Sequence, residues 1–168
     1  MKRVLTFSLM LLVLLTQVAT AQQSYTHEKV EYTFDIPSAT WRAILEPDAA
    51  HENPEFVYGD RLDGYLTIRK EVVEAGTTPS QLAQRDADLK LRFLPGFVQG
   101  KEESFNGRLD GVTISYEFVR TGKTMIGRTY YLQADNRTIY ALRFTGLRDK
   151  LSRIRNQTDL IARTFKLK

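Results

Sequence analysis

The stretch ISYEFVRTGKTMIGRTYYL, residues 114–132, decides how the rest of the chain is read. Apolar and polar residues alternate on both sides of Thr121-Gly122. A period of two puts successive side chains on opposite faces of a strand. Glycine supplies the left-handed backbone that a two-residue hairpin loop requires. Residues 112–120 and 124–134 are therefore expected to pair antiparallel, with Arg120 opposite Lys123, Glu117 opposite Ile126 and Ser115 opposite Arg128.

Moving toward the C-terminus, TIYALRFT (residues 138–145) reads as a third strand. A two-residue loop at Asp135-Asn136 would set Arg128 opposite Arg143. One face then carries Tyr116, Phe118, Tyr131, Leu142 and Phe144, the core face, to be covered by the last helix. The other face gathers Glu117, Ile126, Arg128, Tyr130 and Arg143. Diagonal cross-strand neighbours reach each other, so Glu117, or else an acid of a covering helix, is placed to neutralise Arg128. The surplus charge of Arg143 is left to an anion or to an acid such as Asp86. Two readings compete. The favoured one is sheet packing with an internal ion pair. The second is a ligand or anion pocket around Arg128 and Arg143, with Tyr130 and Glu117 beside them.

Moving toward the N-terminus, residues 22–27 read as a loose tail. KVEYTFDIP (residues 29–37) alternates cleanly and ends at Pro37, so it is a half-buried strand. Residues 41–45, 56–58 and 65–72 read as further strands, the last two joined by a turn at GDRLDG. Thr78, Pro79 and Gln81 form a capping box with proline at the first helical position. That helix should run to about Phe93, before Pro95-Gly96, with Leu82, Asp86, Leu89 and Phe93 on one stripe. Residues 97–105 are another strand, followed by the Asn106-Gly107 turn. A final helix begins after Gly146, and its Leu147, Leu151, Ile154, Thr158, Ile161 and Phe165 recur at 4 and 3 residues, one amphipathic face. The order is four strands, helix, four strands, helix, with short connections. This predicts an α+β fold: a single antiparallel sheet of seven to eight strands flanked by two main helices.

The first 21 residues read as a leader. Lys2 and Arg3 precede the apolar run VLTFSLMLLVLL, and Ala19-Thr20-Ala21 offers a small-x-small cleavage site. Cleavage after Ala21 would leave residues 22–168 as one domain, in the periplasm or outside the cell, without stable membrane insertion. The chain has no cysteine, so it carries neither a disulfide nor the acylation site of a lipoprotein. The net charge of +4 falls to +2 once Lys2 and Arg3 are removed, leaving 22 basic and 20 acidic residues. That balance does not suit nucleic acid, which asks for a concentrated basic footprint.

Catalytic signatures are missing as well. There is no G-x-S-x-G elbow, P-loop or G-x-G-x-x-G. The two histidines, His27 and His51, sit in the tail and in an acidic loop. His51 has Asp48, Glu52 and Glu55 nearby, a set better read as a solvated loop than as a metal site. No catalytic residue, metal or cofactor is expected.

YTFDIPSATW, NGRLDGVTISYEF, GRTYYLQADNRTIYALRFTG and IARTFKL resemble the PsbP-like family, which includes bacterial envelope relatives such as DcrB. The resemblance spans nearly all of residues 22–168. It rests on a strand running into Pro37 and Trp41, on Arg128-x-Tyr130-x-Leu132, on Ile139-Tyr140-x-Leu142 and on a last helix ending at Phe165. It implies an α/β/α sandwich around an antiparallel sheet and a non-catalytic accessory role. The chain departs from the family in lacking the lipid-anchor cysteine of many bacterial members, and in having Ala39-Thr40 where a glycine usually precedes the tryptophan. The leading expectation is an exported, monomeric accessory protein that binds a protein or an envelope component. A small-ligand or anion carrier comes second, and a hydrolase last.

Overall fold

The computed structural model describes residues 23–168. The leader and its cleavage after Ala21 lie outside the described residues. The strands are β1 (Gln23–Thr26), β2 (Tyr32–Ile36), β3 (Trp41–Leu45), β4 (Glu55–Tyr58), β5 (Asp60–Val72), β6 (Val98–Phe105), β7 (Gly111–Arg120), β8 (Lys123–Gln133), β9 (Thr138–Leu147) and β10 (Lys166–Leu167). The helices are α1 (Pro79–Leu89), α2 (Arg148–Arg153) and α3 (Arg155–Thr164), and a 3-10 turn spans Leu91–Phe93.

The fold is α+β, with every strand pair antiparallel. The strands form two sheets where one of seven to eight was expected: a seven-stranded sheet in the order β3-β4-β5-β9-β8-β7-β6, and a three-stranded sheet in the order β1-β2-β10. The expected tail is strand β1, paired with β2. The second sheet has a packing cause. Tyr32, Phe34 and Ile36 form a wide apolar face on β2, and a face of that kind is buried only by lying against another. Ring centroids lie 5.5 Å apart for Tyr32–Tyr140 and 5.4 Å apart for Phe34–Phe56. β2 therefore sits on the main sheet instead of extending its edge.

The central hairpin has the expected register, including Arg120 opposite Lys123 and Ser115 opposite Arg128. Its turn uses positive φ at both Thr121 (49°) and Gly122 (73°), the twist that matches the flanking strands. The next hairpin differs by one residue. Arg128 lies opposite Phe144, and Arg143 lies opposite Thr129. The loop holds three residues, Asp135–Arg137, in place of two: the Ala134 N–H donates to the Thr138 carbonyl at 2.9 Å, and Asp135 Oδ1 accepts from the Arg137 N–H at 2.7 Å. A one-residue slip turns every side chain to the other face. Tyr140, Leu142 and Phe144 thus join Tyr130 and Leu132 in one core with Leu151, Ile154, Ile161 and Phe165. Ile139 and Ala141 join Ile114, Tyr131 and Leu82 on the α1 side. Tyr116 and Phe118 form a third cluster with Leu91 and Met125.

The C-terminal helix is broken in two at Ile154, whose φ of −103° and ψ of 18° leave the helical region. Its apolar stripe persists across the break: Leu151, Ile154, Thr158, Ile161 and Phe165 are all buried. In α1 the capping box forms, with the Thr78 hydroxyl accepting from the Gln81 N–H at 3.2 Å and the Gln81 side chain accepting from the Thr78 N–H at 2.9 Å. The helix stops at Leu89, and the 3-10 turn shifts the helical phase of residues 91–93. Leu91 is buried, while Leu89 and Phe93, expected on the covered stripe, face outward.

Candidate functional site: an arginine-lined cleft on the sheet

The slip separates the four residues singled out in the sequence. Arg128, Tyr130 and Glu117 share the face under α2 and α3, and Arg143 stands on the other, under α1 and the 3-10 turn. One pocket around both arginines does not form.

On the α2/α3 face, Arg128 is tied down. Its Nε donates to the Tyr130 hydroxyl at 2.7 Å, and the guanidinium lies 3.6 Å from Asp159 and 3.7 Å from Glu103. The Tyr130 hydroxyl in turn donates to Asp159 and sits 3.0 Å from the Thr158 hydroxyl. Burial pushes the Tyr130 phenol well above its ordinary range; the Arg128 charge opposes this and the Asp159 bond reinforces it. Of the two expected holders of Arg128, Glu117 or a helix acid, Glu117 pairs with Arg148 instead. The acid that holds Arg128 is the helix residue Asp159. With its side chain only 11% exposed, Arg128 should serve the fold. Arg128→Met and Asp159→Asn are each expected to destabilise by on the order of 1–3 kcal/mol, as charge-assisted bonds do, and the double variant by less than the sum. Urea titration checks this, and additive, near-zero effects would place Arg128 in solvent.

On the α1 face a single carboxylate, Asp86, organises the charge. It is buried and accepts from Arg69 at 2.6 Å and from the Tyr131 hydroxyl at 3.1 Å, with Lys90 Nζ at 2.8 Å. Burial works to raise the Asp86 carboxyl; Lys90 and Arg69 outweigh it, and the group lies below the usual carboxylate range. Glu71 binds Arg69 a second time at 2.9 Å. Arg143 comes last, 3.8 Å from Asp86 through Nη2. Its Nε and Nη2 are buried and have no hydrogen-bond partner among the described residues.

Arg143 also lines a cleft of about 570 Å³ with Tyr65, Thr67, Tyr116, Phe118, Thr145 and the Leu94-Pro95 segment. β5, β9 and β7 supply the walls, and the turn after α1 closes one side through the Val119 N–H, which donates to the Pro95 carbonyl at 2.7 Å. Tyr116 lies across Gly127, where a Cβ would collide with the ring, so a glycine there lets the ring lie flat on the sheet. Phe93 is 71% exposed, Leu89 66%, Val98 61% and Val119 39%, four of the seven exposed large apolar residues among those described. β6, which begins at Val98, is an edge strand exposed along nearly its whole length.

The sequence pointed to Arg143 but not to this cleft, whose walls come from segments far apart in the chain. One signal was available: Asp86 interrupts an otherwise apolar helix stripe, and such an acid needs cations from the sheet beneath it.

No protein-family profile matches the chain, and no curated protein matches it. Solved structures do resemble it. LpqN of Mycobacterium tuberculosis, involved in cell envelope biogenesis, has 17% identity and a TM-score of 0.58, covering 88% of this chain and 91% of its own. The cyanobacterial PsbP of Synechocystis has 15% identity and a TM-score of 0.57, covering 90% and 96%. The Ran-binding protein Mog1p of Saccharomyces cerevisiae has 10% identity and a TM-score of 0.60, covering 87% and 95%. The chain has the PsbP-like fold.

Proposed function

We propose that this is a non-catalytic accessory protein of the cell envelope that acts by binding a protein partner. In this reading the leader is removed after Ala21, and residues 22–168 work as one monomeric domain in the periplasm or outside the cell. The observation that carries the proposal is the open edge of β6, exposed along nearly its whole length, with the exposed large apolar side chains Leu89 and Phe93 in the segment before it and Val98 at its start. An unpaired strand edge adds backbone donors and acceptors that a partner strand can use. Proteins of the same fold support the reading by analogy: one is involved in cell envelope biogenesis and another binds Ran. Among the described residues, no helix is long and apolar enough to cross a membrane.

The test is affinity capture from envelope extract with the wild-type protein and with a Phe93→Asp/Val98→Lys variant. Both changes fall on exposed side chains and should leave the melting temperature almost unchanged. A specific partner band that disappears with the variant is the expected result. Equal recovery by both proteins would remove this surface from consideration.

A further inference from the structure

The cleft and the surplus charge of Arg143 on its wall point to a ligand that the partner surface does not require. At about 570 Å³, the cleft falls among small-molecule sites, which run roughly 300–1,000 Å³. Its lining is aromatic, aliphatic or hydroxyl-bearing except for two arginines, Arg143 from the middle of β9 and Arg120 from the hairpin tip, and no carboxylate lines it. Glu55, the acid nearest its Tyr65 side, is engaged by Arg61 at 3.2 Å.

The charge around Asp86 explains why Arg143 is available. Three cations, Arg69, Lys90 and Arg143, face two acids, Asp86 and Glu71. Arg69 and Lys90 hold the short contacts to Asp86, and Arg143 is left at 3.8 Å. A guanidinium cannot shed its charge in a protein. Nε and Nη2 are buried on the Asp86 side, so an incoming carboxylate would meet the accessible remainder of the guanidinium, whose side chain is 26% exposed, in a charge-assisted bond that matches one surplus positive charge with one negative charge. A phosphate dianion is a poorer match, since sites for it gather several arginines. We infer that this cleft binds a small monocarboxylate with an aliphatic or aromatic body, its carboxylate on Arg143 and its apolar part against Tyr116, Phe118, Val119 and Pro95.

Calorimetric titration of the purified protein with octanoate, 4-phenylbutyrate and octanol tests the inference. Both acids should bind at low-millimolar concentration or better and raise the melting temperature, as any ligand selective for the native state does. Octanol, which keeps the chain and drops the charge, should bind at least tenfold more weakly. Arg143→Met should weaken octanoate at least tenfold, while Arg128→Met, on the opposite face, should leave it unchanged. The comparison of octanoate with octanol needs no variant, so it stands even if Arg143→Met fails to fold. Equal affinity for acid and alcohol would overturn the role of Arg143. Absence of binding by either acid would overturn the site. Co-sedimentation with phosphatidylglycerol vesicles but indifference to octanoate would make the cleft a membrane contact and overturn the small-molecule assignment. The Phe93→Asp/Val98→Lys variant should retain octanoate binding, so failure of the partner surface and failure of the cleft are told apart.

Discussion

Asp86→Asn is expected to destabilise the protein by about 1.5–3 kcal/mol, the worth of hydrogen bonds to a charged group, because Asp86 itself is buried while Arg69 and Lys90 stay 32% and 49% exposed. The Asp86 side chain is almost fully buried and accepts from Arg69 and the Tyr131 hydroxyl while Lys90 sits against its second oxygen. Asparagine keeps the shape and one acceptor but loses the charge. Arg69 retains Glu71, whereas Arg143 is left with no acid within 4 Å among the described residues. The effect must also depend on pH, and the sign is fixed. The folded Asp86 carboxyl lies below its ordinary range, so its contribution is fully present above the unfolded value of about 3.9 and fades as pH falls through the lower, folded value. The gap between wild type and Asp86→Asn in urea titrations should therefore be widest near neutrality and close on acidification. A difference below about 0.5 kcal/mol, the range of surface changes, would mean that the cluster does not hold α1 to the sheet.

Asp86 also shows what could be read from the sequence and what could not. Periodicity identified α1 and its cap, and the acid within the stripe was visible. Which cations it meets depends on the β8–β9 register, and that turned on whether the loop after Gln133 held two residues or three. Asp135 can close either loop; its side chain accepting from the Arg137 N–H fixes the longer one. That one residue moved Arg143 away from Arg128. The central hairpin was legible because Thr121-Gly122 allows a single tight turn and both flanks alternate without interruption. The second sheet was not, because strand alternation says which face of β2 is apolar but not whether it is buried by pairing at an edge or by stacking on a face. The cleft was least legible of all: it needs Tyr65 and Thr67 from β5, Arg143 from β9 and Leu94-Pro95 from beyond α1 at once, and no local pattern records that convergence. The outward turn of Phe93 depends on a change from α to 3-10 geometry within two residues, finer than periodicity can register.

The stacking of the small sheet on the large one leads to the second large effect, at Phe165. This residue ends α3 and leads into β10, which pairs with β2. Its ring is fully buried, with centroids 4.7 Å from Tyr32, 5.1 Å from Tyr140 and 6.2 Å from Phe34. It thus touches both sheets at the point where the last helix arrives. Phe165→Ala should cost about 3–5 kcal/mol, the transfer of the ring plus the cavity it leaves. Collapse would relieve little of that, since Tyr32 and Tyr140 are rigid rings whose hydroxyls are tied to Asn53 and Glu31. Phe93→Ala supplies the contrast. It is the same chemical change at an exposed position and should stay within about 0.5 kcal/mol. If the two substitutions cost the same, the C-terminal segment does not join the sheets. If Phe165→Ala alone is severe and removes the cooperativity of unfolding as well, the two sheets are one folding unit whose stacked rings depend on Phe165, and a partner engaging β6 at the far edge would do so on a scaffold already fixed.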